Sequence, residues 1–244
     1  MIEAATFIPL FLSAIAIGVF ASLLGIGGGV FMTPLLLLAG FVATQPEAAG
    51  TGIAAVVFTG LSATFAYYRR RAIDVRIGLT FMVPAIGGVF LGYAIGNVVS
   101  ADWLTIAFGV FLLYPMTVML AGKSTKDIQR GDDAQVGGVR FYVLAGVLGL
   151  VAGTVTKLFG IGGGTVFVPS LVLFLGLDIV TAVATSLFVM IPTAAIGTWL
   201  SHVQGNLYPE LALPLILGVI LGAQLGPRIG TRVPKKRIRQ LFGL

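Results

Sequence analysis

Two glycine runs and one lysine are the residues of this 244-residue chain whose types and spacing could do chemistry. The runs are Gly25-Ile26-Gly27-Gly28-Gly29 and Gly160-Ile161-Gly162-Gly163-Gly164. Consecutive glycines adopt positive φ without steric cost and let backbone approach a ligand closely. Their N–H groups can converge into an anion-binding nest. A helix starting behind them adds unpaired N–H donors and the positive end of its dipole. Lys157, just before the second run, would add a full positive charge. Thr165 directly follows that run, while Thr51 and the pair Thr185-Ser186 stand farther along the chain. Each hydroxyl can donate to an anion oxygen. The set therefore predicts a small-anion site built from Gly27, Gly28, Gly29, Gly162, Gly163 and Gly164 with Lys157, Thr51, Thr165, Thr185 and Ser186.

Plainer roles compete with each of these. Small residues let membrane helices pack closely, a lysine stem can carry its charge to an interface, and helix hydroxyls often bond their own backbone. Thr165 could simply cap the short helix it opens. Gly25-Ile26-Gly27 begins like a dinucleotide fingerprint, but the closing glycine is replaced by Val30 in one run and Thr165 in the other, with no βαβ context. Catalysis is not expected. There is no cysteine and one histidine, and Glu47, Asp74, Asp102, Asp178 and Glu210 all fall at segment boundaries. The same inventory predicts no metal, no cofactor and no clear proton carrier, so coupling to protons or to another ion stays open.

The elements that must position these residues are membrane segments. The chain is 57% hydrophobic and 10% charged, against roughly 25% charged in soluble domains. Residues 4–46, 48–68, 77–101, 103–122, 141–156, 158–177, 179–201 and 211–227 carry no charged side chain. A spanning helix needs about 20 apolar residues, so the fold class is an all-α integral membrane protein. The first apolar run lacks a basic leader and is too long for a signal sequence, which predicts a retained segment. The stretch 4–46 reads as segments of roughly 4–24 and 28–43, broken at the first glycine run, the second short and carrying Pro34. The stretch 141–177 repeats this form, with Pro169 in its short segment. Whether 4–24 and 141–157 cross fully or re-enter is left open by the pattern.

The repetition continues along the chain. At an offset of 135, Gly25 to Gly29 meet Gly160 to Gly164, Pro34 meets Pro169 and Thr51 meets Ser186. At 134, Gly88, Gly92 and Gly96 meet Gly222, Gly226 and Gly230. This predicts two five-segment repeats, residues 1–122 and 139–244, joined by a loop at 123–138. The fifth segment of the second copy has reached only Leu244, which reads as an end cut short.

Fourteen of the fifteen basic residues fall in three clusters, at 69–76, 123–140 and 228–239. The positive-inside rule makes all three cytoplasmic and the N-terminus periplasmic. An odd number of segments per copy then inverts the second copy relative to the first, the plan of many secondary transporters. Charges that mark orientation form no basic face, so nucleic acid is not expected as a partner. The fifteenth basic residue is Lys157. Trp199, His202, Tyr67 and Tyr68 lie near segment ends, where aromatics anchor at the interface.

The paired Gly-Ile-Gly-Gly-Gly with its following proline, the Ala184-Thr185-Ser186-Leu187 stretch, and the Leu91-Gly92 and Leu225-Gly226 steps that close each fourth segment resemble the sulfite exporter TauE/SafE family of permeases. The resemblance implies transport of a small sulfur-containing or organic anion, such as sulfite or a sulfonate, across the bacterial inner membrane. The first copy departs from it with Ala49-Gly50-Thr51-Gly52, so only Thr51 is carried over there. Lys157 rests on physics alone. The resulting expectation is an alternating-access secondary transporter whose partners are its anion and the lipid bilayer. A passive anion channel and a non-transporting assembly factor are the alternatives.

Overall fold

The computed structural model describes residues 4–121, 138–173, 175 and 177–230. Among the described residues there are nine α-helices and no strand. They are α1 (Ala4–Leu24), α2 (Gly29–Leu38), α3 (Gln45–Tyr68), α4 (Val75–Val98), α5 (Ala101–Ala121), α6 (Val139–Phe159), α7 (Gly164–Leu173), α8 (Ile179–Val203) and α9 (Pro209–Gly230). Six of them, α1, α3, α4, α6, α8 and α9, are long and apolar enough to cross a membrane. The chain is thus a multi-pass helical membrane protein. The 10-residue helices α2 and α7 rise only about 15 Å, half a hydrocarbon core. The segment expected over 28–43 is therefore helical only over Gly29–Leu38. The basic residues at 123–130 and 232–239, and the expected short end at Leu244, lie outside the described residues.

Carboxylates at the segment boundaries hold the helix starts. Asp74 accepts the Ile77 N–H at 3.0 Å to cap α4, and Asp178 accepts the Val180 N–H at 3.3 Å to cap α8. Glu47 reaches back from the first turn of α3 to the N–H groups of Ala43 and Thr44. An acidic group at a helix N-terminus bonds orphan donors and complements the dipole. This local work explains why these acids stand where hydropathy ends.

Helices α3 and α8 are the most buried of the six and form the centre. Their helix-wide apolar character suits burial on all sides. The outer helices turn side chains such as Leu12, Val83, Ile106, Val110 and Leu213 outward, an apolar surface that suits lipid. Glycine lets the outer helices touch along their backbones. A methyl at Gly222 of α9 would land on the Ile15 carbonyl of α1, and one at Gly88 of α4 on the Leu150 carbonyl of α6. At Gly226 it would meet Ser22, and at Gly92 the Cβ of Lys157. These two contacts of α1 with α9 thus have counterparts between α6 and α4 at the offsets of the sequence repeat. The helix bounds also locate the slip in that repeat. α2 and α7 start at Gly29 and Gly164, α3 and α8 at Gln45 and Ile179, so the residue is lost in the connection between them.

Candidate functional site

The two glycine runs lie against each other. A methyl at Gly29 would land on the carbonyl oxygen of Gly160, with Ile161 Cα only 2.7 Å away; at Gly164 it would land on the carbonyl oxygen of Gly25, with Ile26 Cα at 2.7 Å. Gly27 and Gly162 share the same two neighbours, Val56 midway along α3 and Met190 midway along α8. The runs therefore meet at the middle level of the two central helices. Gly27 and Gly28 hold φ of +77° and +89°, and Gly162 and Gly163 hold +79° and +71°. Only glycine takes this left-handed backbone without strain.

Behind the runs the short helices begin without side-chain caps. The N–H groups of Phe31 and Met32 close on the Gly28 carbonyl, and those of Val166 and Phe167 on that of Gly163. The N–H groups of Gly29, Val30, Gly164 and Thr165 precede these first helical bonds and have no partner within their helices. Gly28, the N-cap of α2, has no side chain to offer. The same arrangement thus provides donors for an anion and close helix packing. In this conformation the carbonyl of the opposite run lies against each helix start.

The hydroxyls divide by role. Thr165 is buried in the first turn of α7, and its Oγ1 has no hydrogen-bond partner. Ser186 reaches the first run and donates to the Gly25 carbonyl at 2.9 Å, and also to its own helix at Val183. Thr51 and Thr185 also hold loops with their oxygens, which leaves each O–H to donate. Thr51 Oγ1 accepts the Tyr208 N–H at 3.2 Å, and Thr185 Oγ1 accepts the Asp74 N–H at 3.0 Å. By this bond Thr51 corresponds to Thr185, not to Ser186. Replacing either threonine by valine removes an acceptor from a partly buried N–H, a change costing about 1 kcal/mol. We expect Thr51→Val and Thr185→Val to lower the melting temperature to similar extents while anion affinity is retained. A selective loss of affinity in both would show that their free O–H groups hold the anion.

Lys157 lies apart from the glycine junction. Its Nζ donates at 3.0 Å to Ser201 Oγ and at 2.8 Å to Gln204 Oε1, at the C-terminal end of α8. Gln204 Nε2 in turn donates at 2.6 Å to Asn97 Oδ1, at the end of α4. The side chain is 9% exposed, so it does not reach out into solvent. It lines a cavity of about 20 Å³ with Pro46, Ala49, Gly92, Gly96, Gln204 and Asn206 among the other walls. That volume suits a water molecule rather than an oxyanion. No residue of either glycine run lines it. The cavity sits where α4, α6 and α8 end and α3 begins, opposite the Arg69–Arg76 end of the bundle.

Sequence reasoning missed the partners of this lysine. Ser201, in the last turn of α8, and Gln204, which caps it, are a polar pair three residues apart, a spacing that shares one face. Asn97 stands in the last turn of α4, and Asn206 in the connection from α8 to α9. Gln45 and Thr33 close the end of α6, donating to the carbonyls of Leu158 at 3.1 Å and Phe159 at 3.2 Å. At the repeat-equivalent place, Tyr67 donates its hydroxyl to the Ser22 carbonyl at 3.2 Å. Ser22 and Tyr67 are the counterparts of Lys157 and Ser201.

Residues 10–244 match the family model described as sulfite exporter TauE/SafE. The chain is 29% identical over 228 residues to the probable membrane transporter protein YunE of Bacillus subtilis (strain 168), covering 86% of this chain and 84% of the relative. It is 29% identical over 182 residues to the probable membrane transporter protein YdhB of the same organism, covering 74% and 73%. A probable membrane transporter protein of Xylella fastidiosa (strain 9a5c) is 28% identical over 191 residues, covering 78% and 72%. No solved structure matches the chain. The helical multi-pass architecture and a match that runs to the last residue lead to one assignment: the chain belongs to the sulfite exporter TauE/SafE family of membrane transporters.

Proposed function

We propose that the chain is a secondary transporter that moves a small sulfur-containing anion, sulfite or a sulfonate, across the bacterial inner membrane by alternating access. The observation that carries this reading is the pair of uncapped helix starts behind glycine runs that meet at the middle level of α3 and α8. Transporter sites built from broken helices lie at such a level, where half-helix N-termini point at anionic groups. Backbone donors of Gly27–Gly29 and Gly162–Gly164, with the unpartnered Thr165 hydroxyl, would hold the anion once the runs part. Lys157 would contribute charge from the end of α6. The architecture is two inverted five-segment repeats, 1–122 and 139–244. The reciprocal contacts of α1 with α9 and of α6 with α4 support it. The basic segments 69–76, 123–140 and 228–239 face the cytoplasm and the N-terminus faces the periplasm, which puts Lys157 toward the periplasmic side.

The test is a thermal-shift panel on purified protein, followed by flux in proteoliposomes. A ligand bound only by the folded state adds about 2.7 kcal/mol at a hundred times its Kd. Sulfite, thiosulfate and methanesulfonate should raise the melting temperature more than acetate or chloride. Equal shifts from all five would end the sulfur assignment. Accumulation of the anion against its gradient, driven by a proton or sodium gradient, is expected; strictly downhill flux would make the protein a channel.

A further inference from the structure

Lys157 is a buried ammonium whose hydrogen-bond partners, Ser201 Oγ and Gln204 Oε1, are both neutral. A buried charge is costly unless it is paired with an opposite one. An ammonium has three donors, so one is left for the cavity that the side chain lines. A charge-assisted bond to an oxyanion is roughly twice as strong as one between neutral groups. An anion that displaced the amide oxygen of Gln204 would therefore make the stronger bond and gain the room that the closed cavity lacks. Gln204 is the one partner that reaches further. Its oxygen takes Lys157 of α6 and its amide nitrogen takes Asn97 of α4, so one side chain ties the ends of α6, α8 and α4 together.

The opposite end of the bundle is built differently at the equivalent place. There Tyr67 is 1% exposed and its hydroxyl holds the backbone carbonyl of Ser22. Neither partner is an ammonium; the positive charge of that end sits on Arg69, Arg70, Arg71 and Arg76 around the helix ends. Of the two equivalent places, only the one at Lys157 holds its charge on a neutral amide that an anion can displace.

We propose that Gln204 is an anion-released latch on the periplasmic end. An oxyanion takes its place on Lys157 Nζ, the bridge from α6 through α8 to α4 opens, and the cavity widens toward the glycine junction. This deepens the transport reading and rests on it, adding Gln204 and Asn97 as positioning residues and Lys157 as the first point of contact.

The chain contains no cysteine, so one introduced thiol reports alone. Gly96 lines the cavity, and a Cβ there meets only Leu158 at 3.7 Å, an ordinary contact. Gly96→Cys is therefore labelled with a membrane-impermeant maleimide from the periplasmic side, and every variant is checked for an unchanged melting curve. Adding Asn97→Leu should raise the labelling rate by up to about tenfold, the factor of one net hydrogen bond. An unchanged rate overturns the latch. Methanesulfonate should raise labelling of Gly96→Cys, add little once Asn97→Leu is present, and have no effect with Lys157→Gln. A rise that survives Lys157→Gln, or no rise in Gly96→Cys itself, removes the anion as the key. Gln204→Glu gives Lys157 a fixed counter-charge; with the Asn97 amide turned to donate to the new carboxylate, the bridge persists and labelling should stay low with or without methanesulfonate. Labelling does not require flux. If Asn97→Leu opens the cavity while wild-type proteoliposomes carry no anion, the transport reading fails and the latch stands.

Discussion

Gly29→Ala and Gly164→Ala are each expected to destabilise the folded protein by about 3 kcal/mol or more, at the upper end of what overpacking costs. The added methyl does not meet the end of a flexible side chain. It meets a backbone carbonyl, Gly160 in one case and Gly25 in the other, with the next Cα 2.7 Å away in both. Those carbonyls belong to runs whose backbone is pinned by positive φ at Gly25, Gly27, Gly160 and Gly162, so neither side has an easy way to yield. Gly109 and Gly146 provide internal controls, since a Cβ at either finds nothing within 4 Å. Alanine there should leave stability unchanged or raise it, because alanine is the better helix former by about 1 kcal/mol. The two destabilising changes fall on one junction. Once the first methyl has parted the runs the second costs less, so the double variant should lose less than the sum. Thermal unfolding in detergent of the four single variants and the double decides the matter. A melting temperature for Gly29→Ala equal to that of Gly146→Ala would show that the runs do not touch as described.

The same residues show how far the sequence could be read. Glycine runs, prolines and glycine steps recur at fixed offsets because backbone contacts tolerate no other residue. The helices that must touch are therefore legible in the sequence. The exact register is not. One residue disappears in a short connection, and the next landmark, a Thr-Ser pair facing a single threonine, matches at either offset. The helix bounds, together with the shared bond to the N–H of Asp74 or Tyr208, show that Thr185 is the partner of Thr51. Ser186 then stands against Gly52 in the other copy, and its bond to Gly25 has no twin.

Lys157 was legible as a charge out of place, but its surroundings were not. They depend on how the ends of α4, α6 and α8 converge, and no local pattern encodes that. Proximity in sequence to the second glycine run suggested one shared site. A helix end separates them: Lys157 points its ammonium to α8, while the chain after Phe159 turns away into the run. Packing and anion binding also could not be told apart at the glycines, because both use the same backbone in two positions of the same junction.

The lysine offers the sharpest separation of a structural from a functional role. In the last turn of α6 it could serve only to complement the helix C-terminus, worth about 0.3–1 kcal/mol. On that account Lys157→Met lowers stability and leaves anion affinity alone. The opposite is expected. Two neutral oxygens compensate a buried ammonium poorly, and replacing buried charge with a well-fitting apolar side chain is often neutral or stabilising. Lys157→Met should hold or raise the melting temperature while anion affinity falls by about tenfold or more, the factor that corresponds to losing about 1.4 kcal/mol. Lys157→Ala should lose affinity to the same degree and some stability as well, since it empties the space beside Gly92. Lys157→Arg keeps the charge but presents a planar fork where a compact ammonium meets Ser201 and Gln204. Its affinity should fall between the wild type and the alanine variant. Titration calorimetry with the anion picked out by the thermal-shift panel, run beside melting curves for all three variants, gives both readouts. Equal affinity in wild type, Met and Arg would leave Lys157 with packing and the helix end as its only work.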